Sequence, residues 1–501
     1  MSPSFYWYDY ETWGSDPRRD RPCQFAGLRT DTELNEISTE PPLVRYCQPA
    51  DDFLPSPAAC LITGITPQHA KQQGVREAVF AAEIQQQLAR PATCSVGYNS
   101  LRFDEEVSRF LFYRNFLDPY AHSWRDQCSR WDLIDVLRMA HALRPQGLEW
   151  PQGDHGNTSF KLERLTAAND IPHQGAHDAL ADVRATLALA RRLRAAQPRL
   201  FHYALGLRDK DRVREQLASG QPVLHVSSKY PAGRGCIAPV MVVAPPSPTD
   251  RHGMIVWDLR EDPTELFELS EDVAAIRTRV FTRAEDLPSG VRRLPIKKLR
   301  LNAVPMVAPM PTLSDEAAER WAIDRTQVEQ HWRQFLAHPN KVAAVEHAVR
   351  AAFDQPADGP APDPDEALYR GFFAPADQPL IAQVRDLSPQ QLAQAHLAFK
   401  DPRLPVLLFR YRARNWPETL TAHERQAWDH WRLTRLHDTA HDRVLTLPRY
   451  QQCIADLRAE SDTDARKQQC LDALEAWPRQ IQASMPPTDP ASAELPLQAS
   501  N

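Results

Sequence analysis

"WYDYET", residues 7–12, sets two carboxylates inside an aromatic run. Side chains alternate faces along a strand, so Asp9 and Glu11 share one side while Tyr8, Tyr10 and Thr12 take the other. Like charges held that close raise each other's proton affinity unless a cation lies between them, and hard divalent cations such as Mg²⁺ prefer carboxylate oxygens. An isolated D-x-E is more often a solvated pair on an edge strand. The metal reading therefore requires further carboxylates elsewhere in the chain.

Working outward, the strand candidates are Phe5 to Thr12, Gln24 to Thr30, Leu43 to Gln48 and Thr93 to Tyr98, the first three spaced for an antiparallel meander. Thr66-Pro67 gives an N-cap and a first-turn proline to a helix predicted to run to about Leu88. Asp104 to Phe116, Leu133 to Leu143, Lys161 to Ala168 and Ala179 to Leu193 carry apolar residues at helical spacing. This order predicts an α/β domain, a mixed sheet flanked by helices.

From about Pro198 the pattern changes to short apolar runs broken by Pro and Gly, "PVLHVSS", "CIAPVMVVAPP", "HGMIVWDL" and "LPIKKLRLNAVPMV", which predicts a small barrel-like β unit. A helical stretch from Ser314 to Ala352 follows it. Residues 354–366, "DQPADGPAPDPDE", have linker composition, with little to bury. Residues 367 to about 481 read as helical, and the Pro-rich tail after them as disordered.

The chain has 501 residues, 42% apolar and 25% charged, which suits a globular protein of two to four domains. Its eight cysteines are scattered without a C-x-x-C pair, which argues against a zinc ribbon or a disulfide framework and for a reducing compartment. Without a signal-like N-terminus or a membrane-length apolar run, a cytoplasmic location is expected. A net charge of −6 gives no global attraction for nucleic acid, so any polyanion must be held by local basic patches.

Two more acidic candidates follow. In "GYNSLRFDEE" a predicted strand ends at Tyr98 and a helix opens near Asp104. In "AHDALADVRATLALARRL" His177 and Asp182 are five apart, about 140° beyond one helical turn. Asp182 can therefore face the sheet from the first helical turn while His177 stays in the preceding loop, free to reach a water. Singly, each acid reads as a helix-dipole partner and His177 as a surface histidine. Their conjunction with D-x-E changes the odds.

"DYET" (9–12), "NSLRFD" (99–104) and "HDALAD" (177–182) resemble the three motifs of the DEDD 3′–5′ exonuclease family, His-type. "DRPCQFAGLRTD", "LITGITP", "FYRNFLDPYAHSW", "SRWDLIDVLR" and "YRARNWPETL" are similar to its bacterial exodeoxyribonuclease I group, from about Phe5 to Ile481. The resemblance implies a ribonuclease-H-like exonuclease domain (1–196), an SH3-like domain with a helical extension (197–353), a linker (354–366), an all-α C-terminal domain (367–482) and a tail (483–501). It carries four metal-site acids to Asp9, Glu11, Asp104 and Asp182, and a general base to His177. The Tyr-type would need tyrosine where this chain has Asp178. Two Mg²⁺ ions, with Mn²⁺ as a substitute, would then support hydrolysis of single-stranded DNA from its 3′ end to 5′-mononucleotides, in DNA repair and recombination.

"RFLFYRNFLDPYAHSWRDQCSRWDLIDVLR" interleaves basic and aromatic residues, the pattern that holds unpaired strands by phosphate pairing and base stacking. The resemblance assigns DNA contact to Thr12, Ile62, Arg109, Tyr120, Trp124, Arg138 and Lys161, the last where the family carries arginine and its bidentate fork. Solvated faces are the ordinary reading of the clusters at 292–300 and 409–416, but the resemblance favours an outer DNA groove. It also implies binding of the acidic, Phe-ending tail of single-stranded DNA-binding protein, with Arg144 and Tyr203 at the edge of the pocket, and a monomer. The alternatives are an RNA-trimming or proofreading exonuclease, against which the two extra domains count, and a non-catalytic DNA- or partner-binding protein.

Overall fold

Alternation in "SFYWYDYET" produces the first strand, β1 (Ser4–Thr12). It pairs antiparallel with β2 (Pro22–Thr30), which pairs antiparallel with β3 (Leu43–Tyr46), the expected meander. The computed structural model describes residues 2–154, 156–173, 175, 177–354, 362–437, 445–460 and 464–485. Contacts divide them into two units, one of Met1–Ser129, His173–Arg184 and Ala361–Asn501, the other of Arg130–Pro172 and Ala185–Pro360.

In the first unit β3 is followed by helices α1 (Pro57–Thr63), α2 (Pro67–Gln73) and α3 (Glu77–Leu88). Next come β4 (Thr93–Gly97), parallel to β1, then α4 (Asp104–Arg114), α5 (Ala121–Trp124) and the start of β5 (Ser129–Asp132). The sheet order is β3-β2-β1-β4-β5. Tyr6, Tyr8 and Tyr10 bury one face of β1 against Phe25, Phe80, Ile84, Val107 and Leu111. A fully buried Phe in such a cluster contributes about 1.5–3 kcal/mol.

The helix predicted from Pro67 to Leu88 is broken. Gly74 is extended (φ −90°, ψ 165°), and a Cβ there would lie 2.4 Å from the Ala70 carbonyl oxygen and 2.9 Å from the Gln48 nitrogen. The chain uses this gap to let Val75 pair with Tyr46 and Gln48 before α3 begins. Helix α1 was not foreseen; Ser56 caps it and a left-handed Gly64 ends it.

Residues 362–485 complete the same unit. Leu471, Leu474, Trp477 and Ile481 pack on Trp13, Cys60, Ile65 and Ala70, and Gln68 donates to the carbonyl of Ala473, 405 positions away. Leu404, Leu407 and Tyr411 pack on Phe110, Tyr113 and Phe116. The 409–416 cluster is no exposed basic groove. Arg410 pairs with Asp363 and Asp365, Arg412 with Glu424, and Arg414 with Asp52 and Asp365, the three arginine side chains being no more than 9% exposed. The expected linker is corrected with it, because Asp363 and Asp365 are partners in that network and Pro364–Glu366 forms a helical turn. Most of the tail, 486–501, lies outside the described residues, as does 355–361 of the linker.

The second unit holds α6 (Leu133–Leu143), α7 (Leu162–Ala168) and most of α8 (Ala179–Ala196). Two helices, α9 (Pro198–Gly206) and α10 (Lys210–Ala218), stand where strands were expected to begin. They precede a five-stranded sheet of β6 (Val223–Val226), β7 (Ile237–Ala244), β8 (Gly253–Asp258), β9 (Ile296–Arg300) and β10 (Met306–Pro309). Its order is β10-β6-β7-β8-β9, with every recorded pairing antiparallel. The predicted helical stretch after it is three helices, Asp315–Arg320, Arg325–Ala337 and Pro339–Phe353. No helix among the described residues is long and apolar enough to cross a membrane.

Candidate active site

Register decides what surrounds the two carboxylates of β1. Asp9 lies opposite Ala26 and Glu11 opposite Gln24, so a methyl group leaves room beside one acid and an amide stands beside the other. Asp104 arrives from the first residue of α4, where its Oδ1 accepts the Tyr10 N–H at 3.0 Å. Ser108, one turn later, donates to the Tyr10 hydroxyl at 3.1 Å. The loop that launches α4 needs Gly97, since a Cβ there would meet Ser100 Cβ at 2.5 Å and the Tyr8 carbonyl oxygen at 3.0 Å.

The third contribution comes from the start of α8. Asp182 lies in its first turn, and exposed His177 precedes it with φ 68°, a left-handed conformation uncommon for a residue with a Cβ. Ligand atoms of Glu11, His177 and Asp182 all lie within 4.8 Å of one another. Asp9 belongs to the same cluster electrostatically. Burial first, then Asp104, Glu11, Asp182 and Asp178, push its carboxyl well above the usual range. Burial followed by Asp182, Asp104 and Asp178 pushes Glu11 up to about 9. Burial also raises Asp182, against the lowering effect of His173 and His177.

Three residues here were not foreseen as site residues. His173 Nε2 lies 2.6 Å from Asp182 Oδ1, with its side chain largely buried. Asp178 Oδ1 accepts the Ala181 N–H and so caps α8. Gln24, 1% exposed, meets both Asp178 and Ala179. Only His173 left a trace in the sequence, a second histidine four before His177.

The expected DNA contacts fall in both units. In the first, Arg109 pairs with Glu105 and Glu106, donates to the Tyr369 hydroxyl at 3.2 Å and lies over the Tyr120 ring. Glu105 is itself buried and held by His122 and Ser123. Trp124 (66% exposed) and Ile62 (58%) present bare apolar surface. The Thr12 hydroxyl donates to the Gly14 carbonyl. In the second unit Arg138 pairs with Asp135 and faces the Phe160 ring, while Lys161 is exposed just before α7. Arg144 donates to the Thr312 carbonyl, and Tyr203 to Gln216 and the Val307 carbonyl.

A family model described as "Exonuclease" matches residues 6–190, the segment that supplies every acid of this cluster, and gives the class of the protein. Models described as "Exonuclease I SH3-like domain" and "Exonuclease I C-terminal domain" match 208–355 and 362–481. The chain is 44% identical over 428 residues to Exodeoxyribonuclease I of Escherichia coli K12, covering 85% of this chain and 88% of that protein. The chain belongs to the exodeoxyribonuclease I family. A moderately thermophilic Exonuclease I from Methylocaldum szegediense superposes with TM-score 0.89 at 46% identity, over 96% of this chain and 99% of that one. E. coli Exonuclease I in complex with a dA16 oligonucleotide superposes with TM-score 0.90 at 40% identity, over 96% and 100%. Other matching structures are a zinc-bound form of the E. coli ExoI–ssDNA complex and SSB/Exonuclease I in complex with the inhibitor CFAM.

Proposed function

We propose that this protein hydrolyses single-stranded DNA from the 3′ end, releasing 5′-mononucleotides, and serves DNA repair and recombination in the cytoplasm. The observation that carries the reading is the convergence of Glu11, His177 and Asp182 within 4.8 Å, beside Asp9 and Asp104, in a chain of the exodeoxyribonuclease I family. Carboxyls driven upward by burial and mutual repulsion fit a divalent cation, which removes the repulsion and lets them ionise. Asp9, Glu11, Asp104 and Asp182 would hold Mg²⁺, or Mn²⁺ in its place. When bound, the metal supplies Lewis acidity at the phosphate and lowers the pKa of a bound water.

The chain's own residues do the rest. An imidazole nitrogen of His177 takes the proton of the attacking water. His177 is exposed on a turn at the edge of the acid cluster, where solvent reaches it. Asp104, pinned by the Tyr10 N–H, fixes the distance between α4 and β1. The family resemblance assigns Arg109, Arg138 and Lys161 to phosphates, Tyr120 and Trp124 to base stacking, and Thr12 and Ile62 to strand contact. Base stacking is worth roughly 1–3 kcal/mol per base and tolerates any sequence. Domains of 1–196, 197–353 and 367–482 fit this division of labour.

The related complexes with oligonucleotides and with SSB support single-stranded DNA and SSB as partners. For the acidic, Phe-ending tail we assign the cleft of about 760 Å³ lined by Gln216, Pro309, Met310, Leu313, Arg325 and Trp332. Tyr203 reaches its wall through Gln216, and Arg144 donates to the carbonyl of Thr312, which lies in sequence between the lining residues Pro311 and Leu313. The lining is apolar at Val223, Pro309, Met310, Leu313 and Trp332, and Arg325, which also pairs with Asp315, supplies the cation for an aromatic residue that ends in a carboxylate.

Asp9→Ala should abolish release of mononucleotides from a 5′-labelled oligo-dT while leaving strand affinity, read by fluorescence anisotropy, within about threefold of wild type. Wild-type hydrolysis by that variant, or preference for a matched RNA oligonucleotide, would overturn the reading.

A further inference from the structure

Gln24 is buried on β2, directly opposite Glu11 in the strand register. Its amide reaches the start of α8 with both ends, Nε2 donating to Asp178 Oδ2 at 3.2 Å and Oε1 accepting the Ala179 N–H at 3.2 Å. Those are the two residues that follow His177. A third contact, with the Tyr46 hydroxyl on β3, steadies the amide from the other side.

We infer that Gln24 is a positioning residue, which sets the distance between Glu11 on the sheet and the His177-bearing turn by clamping Asp178 and Ala179. This rests on the reading of His177 as the base. The clamp is separate from helix formation, because Asp178 already caps α8 through the Ala181 N–H. Without Gln24 the helix would still start at Ala179, but nothing on β2 would register it against Glu11. The residue type follows from the two partners. An amide is a neutral group able to donate to a carboxylate and accept from a backbone N–H at once. Glutamate would repel Glu11 and Asp178, and leucine would offer nothing to Asp178 Oδ2 or the Ala179 N–H. The clamp acts next to a strained point, since the left-handed backbone of His177 is uncommon for a residue with a Cβ.

The test uses the full-length protein with Mg²⁺ and a 5′-labelled oligo-dT. Gln24→Leu should lower kcat 10- to 100-fold with KM and strand affinity within twofold. Asp178→Ala, which removes the α8 cap together with the clamp, should lose at least as much, and Asp178→Asn, whose single carbonyl oxygen serves either the Ala181 N–H or Gln24, should fall between it and wild type. The double variant Gln24→Leu/Asp178→Ala should be no slower than Asp178→Ala alone, and in a His177→Ala background Gln24→Leu should cost less than threefold. Additive losses, or a raised KM with unchanged kcat, would overturn the positioning role. Wild-type kcat in His177→Ala alone would instead overturn the reading of the base.

Discussion

At the scale of the residue, the acid cluster stores a conflict that a cation resolves. Glu11 titrates near 4.3 in an unfolded chain and near 9 in the folded, metal-free protein. Between those values the unfolded state binds fewer protons, so the stability of the metal-free protein falls as pH rises. Glu11→Gln removes the conflict along with a ligand. The variant should lose hydrolysis, yet in EDTA at pH 8 it should melt higher than wild type by about 2–4 °C, the shift that roughly 1 kcal/mol gives a domain of moderate size. Its melting temperature should also vary less between pH 5 and 9. Differential scanning calorimetry with and without Mg²⁺ checks this, with Mg²⁺ raising the wild type more than the variant.

At the scale of the element, the approach of β4 to α4 hangs on Gly97. Gly97→Ala pushes a methyl group into Ser100 and the Tyr8 carbonyl and moves the loop that delivers Asp104. A cost of about 1–3 kcal/mol is expected from the overpacking. Steady-state kinetics should show a lowered kcat with strand affinity retained, and urea denaturation should show the lost stability. Elements of this kind were legible where one local rule governed them. The observed β1, β2 and β4 depart by at most two residues from the alternating pattern, and His177 and Asp182 fall to loop and helix as their spacing requires. The break at Gly74 was not legible, because the backbone that needs the gap belongs to a distant stretch around Tyr46 and Gln48. The same holds for Gln24 and His173, whose partners are known only once α8 lies against the sheet. "FRYRARNW" misled for a related reason: a run of arginines looks solvent-bound until its buried aspartates are known.

For the molecule as a whole, the C-terminal segment is fastened to the first 129 residues by buried charge as well as apolar packing. Burial opposes ionisation of Asp52, Asp365 and Glu77, but Arg414 and Arg21, with Arg410 and Arg114, outweigh it and hold all three carboxyls below their usual range. Depressed carboxyls stabilise the fold fully above about pH 4 and lose that contribution as pH falls towards their folded values. Arg414→Met takes the ion-pair partner from buried Asp52, leaves Asp365 to Arg410 and Arg21, and should cost about 3–5 kcal/mol at pH 7. The gap between variant and wild type should narrow by pH 3, where Asp52 of the variant is protonated; urea unfolding at the two pH values measures it.

The hydrogen bond from Gln68 to Ala473 spans 405 positions, and the pair of Arg414 with Asp52 spans 362. On a ribosome moving at about 5–20 residues per second, the first partner emerges roughly 20–80 s before the second. Through that interval the strand bearing Asp9 and Glu11 runs into Trp13, whose apolar neighbourhood still lacks Leu474 and Trp477. The nascent chain thus carries its acids early and its finished core late, and the DNA-degrading unit matures only once Leu474 and Trp477 have been made.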